Sequence, residues 1–320
     1  MNCATTYGVV AGLPPRALGS SPAPPIEVPT MTVAPPAPAT TTASPFAASD
    51  YDVVVAAGMQ HRRYWRNAWE ARGLFYYLAW RDLQVRYKQT AIGVAWGLVK
   101  PLLSMVVFTF IFGKVAGLKP TGGTTYHTMV FAGLLPWQLF SAGVLHGSGS
   151  LTGNAGLITK VYFPRIILPA SAMVNGLADF GIATVVLLGM MLIEGVIPSW
   201  RILTLPLFAL LALLPAFGLG LWLGALNVRY RDFAYLVPFL LQLGSFISPV
   251  GFSTTTVPDN LALLFSLNPM VGVIDGTRWA LFGTDVDPRA VAISVGVSIV
   301  LLAIGLRHFR RTEATFADRI

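Results

Sequence analysis

WRDLQVRYKQTAIGVAWGLVKPLL, residues 80–103, changes character halfway along: Arg81, Asp82, Arg86 and Lys88 give way to an apolar run that Lys100-Pro101 interrupts. The first half predicts a helix lying on a membrane surface. Tyr76, Trp80, Leu83 and Tyr87 recur at i, i+4, i+7 and i+11, so they share one stripe while the charged residues point elsewhere. The second half predicts the first membrane-crossing helix. A charge facing lipid at the bilayer centre costs about 2.5–3.5 kcal/mol, so Lys100 must face protein or water. Pro101 predicts a kink whose freed carbonyl is satisfied by neighbouring helices.

Composition supports this reading. Of 320 residues, 54% are hydrophobic and 11% charged, and the mean hydropathy is +0.64, which leaves too few polar side chains to cover a soluble domain. The pattern predicts an all-α integral membrane protein with six spans, near 90–113, 127–147, 166–193, 202–226, 233–252 and 290–306. A seventh apolar stretch, 261–282, is cut by Asn268-Pro269 and carries Asp275 and Arg278 one helical turn apart. It predicts two half-helices that dip into the outer face between spans five and six and return, sheltered by protein.

Lysine and arginine placement sets the orientation. With six spans, fifteen basic residues fall on one side and five (Lys114, Lys119, Arg201, Arg278, Arg289) on the other. The positive-inside rule then puts both termini in the cytoplasm. Four regions follow: a tail over 1–56, an interfacial region over 57–89, a six-span domain over 90–306 and a basic tail over 307–320. The first segment holds most of the prolines of the N-terminal half and no apolar period, so it is expected to be disordered. It lacks the basic start and unbroken apolar run of a secretory signal. A start-site error would also produce such a segment.

Several chemistries find no support. The lone Cys3 excludes an internal disulfide framework and multi-cysteine metal sites, and His61, His127, His146 and His308 are scattered without ligand spacing. No G-x-x-x-x-G-K-[ST] phosphate loop occurs, because Gly113-Lys114 is followed by Val. No catalytic, cofactor or metal residue is assigned, and no nucleic-acid partner is expected.

RYKQTAIGVAW (86–96), FAGLLPWQLF (131–140), LITKVYFPRIILP (157–169), NVRYRDF (227–233), SPVGF (248–252) and LNPMVGVIDGTRWALFG (267–283) resemble the permease subunits of ABC-2 type exporters. Within these they are most similar to polysaccharide and O-antigen export permeases, including those for teichoic acid and lipid-linked galactan. The long Pro-rich tail and Lys100 depart from that pattern. The resemblance implies a homodimer of six-helix subunits, with ATP and Mg held by separate ATP-binding subunits docked beneath. It implies a cargo of lipid-linked glycan moved from the cytoplasm to the outer face. A small-molecule or drug exporter of the same superfamily is the alternative, and a membrane-embedded glycan-modifying enzyme a more distant one.

Site residues follow from both lines. TGNAGLITKVYFPR (152–165) occupies the place of the family's coupling helix, and its Leu157, Ile158, Lys160, Tyr162 and Phe163 are expected to meet the ATPase. Arg81, Arg86 and Lys88 are expected to receive a phosphate headgroup, since guanidinium groups bind phosphate in bidentate fashion. Lys100, Trp96 and Phe246 are expected along the translocation path, with aromatic rings offering stacking surfaces for sugars. Asp179 is expected as an intramembrane structural charge. Lys100 either pairs with it or meets cargo. Asn268, Pro269, Asp275 and Arg278 are expected at an outer gate.

Overall fold

The segment expected at the membrane surface forms two helices, α1 (Tyr64–Glu70) and α2 (Arg72–Lys88), joined at Ala71. The computed structural model describes residues 64–88, 93–120 and 122–316, with the backbone alone for 93–96, 259, 260 and 263. The expected N-terminal tail, the start of the interfacial region, the end of the basic tail and the Trp96 side chain lie outside the described residues. Two faces of α2 are apolar. Leu74, Phe75 and Leu78 pack against Leu151, Ile158, Phe163, Ile166, Phe309 and Phe316. Tyr76 and Trp80 turn outward, with stacked rings 6.5 Å apart. The predicted aromatic stripe therefore divides: Tyr76 and Trp80 face away from the bundle, while Tyr87, further along it, reaches Asp179.

All described residues in regular structure are helical. Next come α3 (Gly93–Phe108), α4 (Tyr126–Gly153), the short α5 (Ala155–Lys160), α6 (Ile167–Ala172) and α7 (Val174–Ile193). They are followed by α8 (Leu205–Arg229), α9 (Phe233–Ile247), α10 (Asp259–Ser266), α11 (Pro269–Phe282) and α12 (Pro288–Thr312). Pro101 sits inside α3, which continues as a π-helical segment, Thr109–Val115. There the Ala116 amide donates to the Ile111 carbonyl at 2.9 Å, the wider spacing of a π turn.

Five stretches are long and apolar enough to cross a bilayer: 97–115, 126–153, 167–193, 200–229 and 288–315. The stretch expected as a fifth span, 233–252, departs from the prediction. Its helix α9 has 15 residues, about 22 Å at 1.5 Å per residue, and stops at Ile247. Pro249 explains the stop, because the residue before a proline is driven to extended backbone, and Ser248 sits at φ −78°, ψ 152°. The Asn268-Pro269 break divides α10 from α11 as expected. The Asn268 side chain accepts the Met270 amide, and Pro269 fills the first helical position, where no N–H is needed.

Helix α4 runs through the centre, with 78% of its most apolar window buried against 11% for the α3 span. Apolar burial cannot drive helix pairing inside lipid, so close backbone contact does. Gly147 of α4 faces Gly220 of α8 so closely that a Cβ on Gly147 would lie 3.2 Å from the Gly220 Cα. The α8–α12 crossing is tighter still, since a Cβ on Gly305 would lie 2.0 Å from the Gly218 carbonyl oxygen.

Candidate functional site

A cavity of about 400 Å³ lies between α3, α4, α7 and α9. The sequence places polar groups on its walls: Lys100 and Ser104 from α3, Gln138, Ser141 and His146 from α4, Asp179 from α7 and Gln242 from α9. A second hollow is bounded by Arg81, Asp82, Asn154 and Asn175. Arg86 and His146 line both. They form a polar neck between α2 and the interior of the bundle.

Asp179 is the centre of the neck. Its Oδ2 accepts from Arg86 Nη2 at 2.5 Å, and its Oδ1 accepts from the Tyr87 hydroxyl at 2.9 Å. Burial, then the hydrogen bond to this carboxylate, pushes the Tyr87 hydroxyl up to about 12, so it stays protonated and donates. Of the two alternatives for Lys100, pairing with Asp179 is not what the structure shows. The end of α2 reaches over α7, and Arg86 with Tyr87 takes both carboxylate oxygens. Lys100 is exposed on the cavity wall, and among the described residues it makes no salt bridge.

The three expected headgroup residues separate. Arg81 holds Asp82 Oδ1 through Nε at 2.9 Å and Nη2 at 2.7 Å, and Nη2 also reaches Asn154 Oδ1 at 3.0 Å. It thereby ties α2 to the residue just before α5. Arg86 lines the cavity, and Lys88 is exposed. Phe246 does not line the cavity. Its ring stacks 5.2 Å from that of Phe108, which does.

Around α5 the expected apolar cluster splits. Ile158 and Phe163 are 5% and 7% exposed and belong to the packed cluster beneath α2. Lys160, Val161 and Tyr162 are exposed, and Leu157 is half-buried. Behind them, the Arg165 amide donates to Glu313 Oε1 at 2.8 Å, and the Arg165 guanidinium donates to the Glu313 carbonyl. The far end of α12 is thus joined to the chain that follows α5.

At the opposite end, Arg278 of α11 is 2% exposed and donates to the carbonyls of Phe252 and Val250, both at 2.8 Å. The turn after α9 is held by these bonds, by the Tyr126 hydroxyl donating to the Gly251 carbonyl, and by Asn268 Nδ2 donating to Ser248 Oγ at 2.9 Å. Arg278 and Asp275 make no salt bridge within 4 Å, so the one-turn spacing does not become a direct pair.

Two groups escaped the sequence reading. His146 was assigned no chemistry, yet it shares the neck with Arg86. Gln138, Ser141 and His146 recur at i, i+3 and i+8 on one face of α4, and that polar stripe in an apolar span was the available signal. Glu194 is the other. Its Oε1 accepts from Thr125 at 2.6 Å, Thr128 at 2.5 Å and His127 Nε2 at 2.9 Å, linking the start of α4 to the end of α7. Burial would raise this carboxyl, but the Thr125 and Thr128 hydrogen bonds and the His127 ring hold it below its ordinary value.

Known proteins are similar to this chain in sequence. The family model for the ABC-2 type transporter matches residues 73–282. An O-antigen export system permease protein RfbA from Myxococcus xanthus is 31% identical, over 80% of this chain and 98% of its own length. One from Klebsiella pneumoniae is 28% identical, over 74% of this chain and 91% of its own. The polysialic acid transport protein KpsM of Escherichia coli is 22% identical, over 73% of this chain and 91% of its own. A helical membrane bundle with a polar interior cavity, matched over most of its length, places this chain in the ABC-2 type transporter family.

Proposed function

We propose that this chain is the membrane-embedded permease subunit of an ATP-driven exporter that moves a lipid-linked glycan of the cell envelope from the cytoplasm to the outer face. The observation carrying this reading is the polar cavity beside α3 and α9, entered past Arg86 and His146. Its lysine, serines and glutamines suit a hydroxyl-rich, anionic cargo. The names of the relatives point to the same class of substrate.

Both termini are cytoplasmic in this reading, and α9 with the Ser248–Phe252 turn completes a sixth, short crossing. α10 and α11 dip into the outer face and close the path, with Asn268-Pro269 at their bend and Arg278 fastening them to the turn. Energy comes from separate ATP-binding subunits that hold ATP and Mg and meet the chain at the exposed Lys160, Val161 and Tyr162. Two copies assemble through the exposed apolar faces of α3 and α9, which include Leu103, Phe110, Tyr235 and Phe239. Arg86 meets the cargo's phosphate, while Arg81 couples α2 to the motor-facing segment.

Reconstitution of the chain with its ATP-binding subunit in proteoliposomes tests the reading. ATP-dependent exposure of a polyprenyl-pyrophosphate-linked glycan to an external, impermeant lectin is the expected result. Export of a small amphiphile with no movement of glycan would assign the chain to the small-molecule alternative.

A further inference from the structure

Charge accounting at the neck leaves a cation without a matching anion. Asp82 is taken by Arg81, and Asp179 by Arg86 and Tyr87. Lys100 faces the same cavity with no salt bridge among the described residues. An unbalanced cation in a membrane cavity favours an anionic visitor. His146 lines both hollows with Arg86, Lys100 lines the first of them, and the His146 ring can donate a further hydrogen bond.

We infer that the Arg86–Asp179 pair is a counter-ion exchange site, at which a phosphate or pyrophosphate oxyanion takes the place of Asp179 on Arg86 while His146 and Lys100 complete its cradle. The inference rests on the export reading and names the gate that a cargo's anionic group must open. Exchange is cheap because one oxyanion replaces another on the same guanidinium, and a phosphate offers more charge and a matching pair of oxygens. Asp179 is not stranded when Arg86 leaves it, since the Tyr87 hydroxyl still donates to Oδ1. A buried carboxylate with no partner would oppose the step. Neutral cargo cannot displace a carboxylate, so the pair discriminates against unphosphorylated lipids. Once the cargo moves on, Asp179 recaptures Arg86 and the site resets.

The test uses the full chain in lipid nanodiscs. Binding is measured for polyprenyl pyrophosphate, inorganic pyrophosphate, phosphatidylglycerol and uncharged polyprenol. Asp179→Asn removes the internal competitor and is expected to tighten polyprenyl pyrophosphate binding at least fivefold. Lys100→Gln and His146→Ala are expected to weaken it at least fivefold, with polyprenol indifferent to every change. A purely structural Asp179 would give the opposite sign, and unchanged or weaker binding by well-folded Asp179→Asn overturns the inference. If that variant fails to fold, Lys100→Gln decides, since Lys100 is exposed and makes no ion pair to lose; unaltered affinity there also overturns it. Competition by inorganic pyrophosphate shows that the headgroup oxyanion is what binds. Equal competition by phosphatidylglycerol would reduce the site to a general anionic-lipid contact and end the proposal. Glycan export that persists while Asp179→Asn and Lys100→Gln are silent removes this inference alone. Pyrophosphate binding without any glycan export removes the export reading instead.

Discussion

Arg278 and Arg86 are both arginines on helices that pack into the bundle, and they are held in opposite ways. Arg278 is 2% exposed and spends its guanidinium on two backbone carbonyls, both at 2.8 Å. Arg86 keeps about a third of its side chain exposed, lines a cavity and pairs with the carboxylate of Asp179. Carbonyls of a closed turn cannot leave their donor without breaking the fold, whereas a side-chain carboxylate with a second donor can. The setting matches: Arg278 packs beside the central α4, where a Cβ on Gly133 would lie 2.9 Å from its Nη2, while Arg86 sits by the loosely covered α3. A charge in a membrane protein is thus read by its partner and its exposure, and its position in the sequence is a poorer guide.

Removing Arg278 is expected to have the largest effect. Arg278→Met leaves the Val250 and Phe252 carbonyls unsatisfied in a buried turn, at about 1–3 kcal/mol for each orphaned group. Loss of most folded protein, measured by thermal unfolding in detergent, is expected. Normal stability would show that the turn does not depend on this arginine. Gly305→Ala asks the same of the central packing without touching a charge. Its new methyl must push α12 away from the Gly218 carbonyl, and overpacking of this kind costs about 1–3 kcal/mol.

Arg86→Lys belongs on the other side of the comparison. Charge is kept but the planar fork is lost, so insertion should survive while glycan export falls several-fold. Full export with Lys at this position would leave only a general attraction to anionic lipid, worth about 1 kcal/mol per basic residue.

How far these two arginines could be told apart from sequence depends on the range of the signal. Local signals were legible: the Asn268-Pro269 break appears between α10 and α11, and the apolar periods of α4, α7, α8 and α12 fall where expected. Pro249 was also legible but was overridden by an apolar run that continues to Phe252, so α9 was read too long. Partners distant in sequence were not legible. Nothing in the chain announces that Arg86 lies 93 positions from its carboxylate, or that Lys100, closer in sequence to Arg86, would be left facing the cavity. The same limit explains Ile158 and Phe163, whose apolar character suited both an exposed contact and the core they in fact join.

The smallest expected effect lies where the start of α4 meets the end of α7. Glu194 has its carboxyl held below the ordinary value, so its stabilising bonds to Thr125, Thr128 and His127 are fully present above that ordinary value. They are lost as pH falls through the depressed folded value. Glu194→Gln should therefore lower the unfolding temperature slightly at pH 7, with the gap to the parent protein closing in acid. A gap that widens in acid would mean that the carboxylate form is not the one bound.

One measurement bears most directly on the claim that Arg86 reads the phosphate of an exported glycan. Proteoliposomes containing the chain and its ATP-binding subunit are supplied with one oligosaccharide on two carriers, a polyprenyl pyrophosphate and an uncharged dialkylglycerol, and ATP-dependent appearance outside is followed. The pyrophosphate-linked glycan should appear at least tenfold faster, and Arg86→Gln should erase most of that preference. Equal rates for both carriers, or a preference that survives Arg86→Gln unchanged, would contradict it.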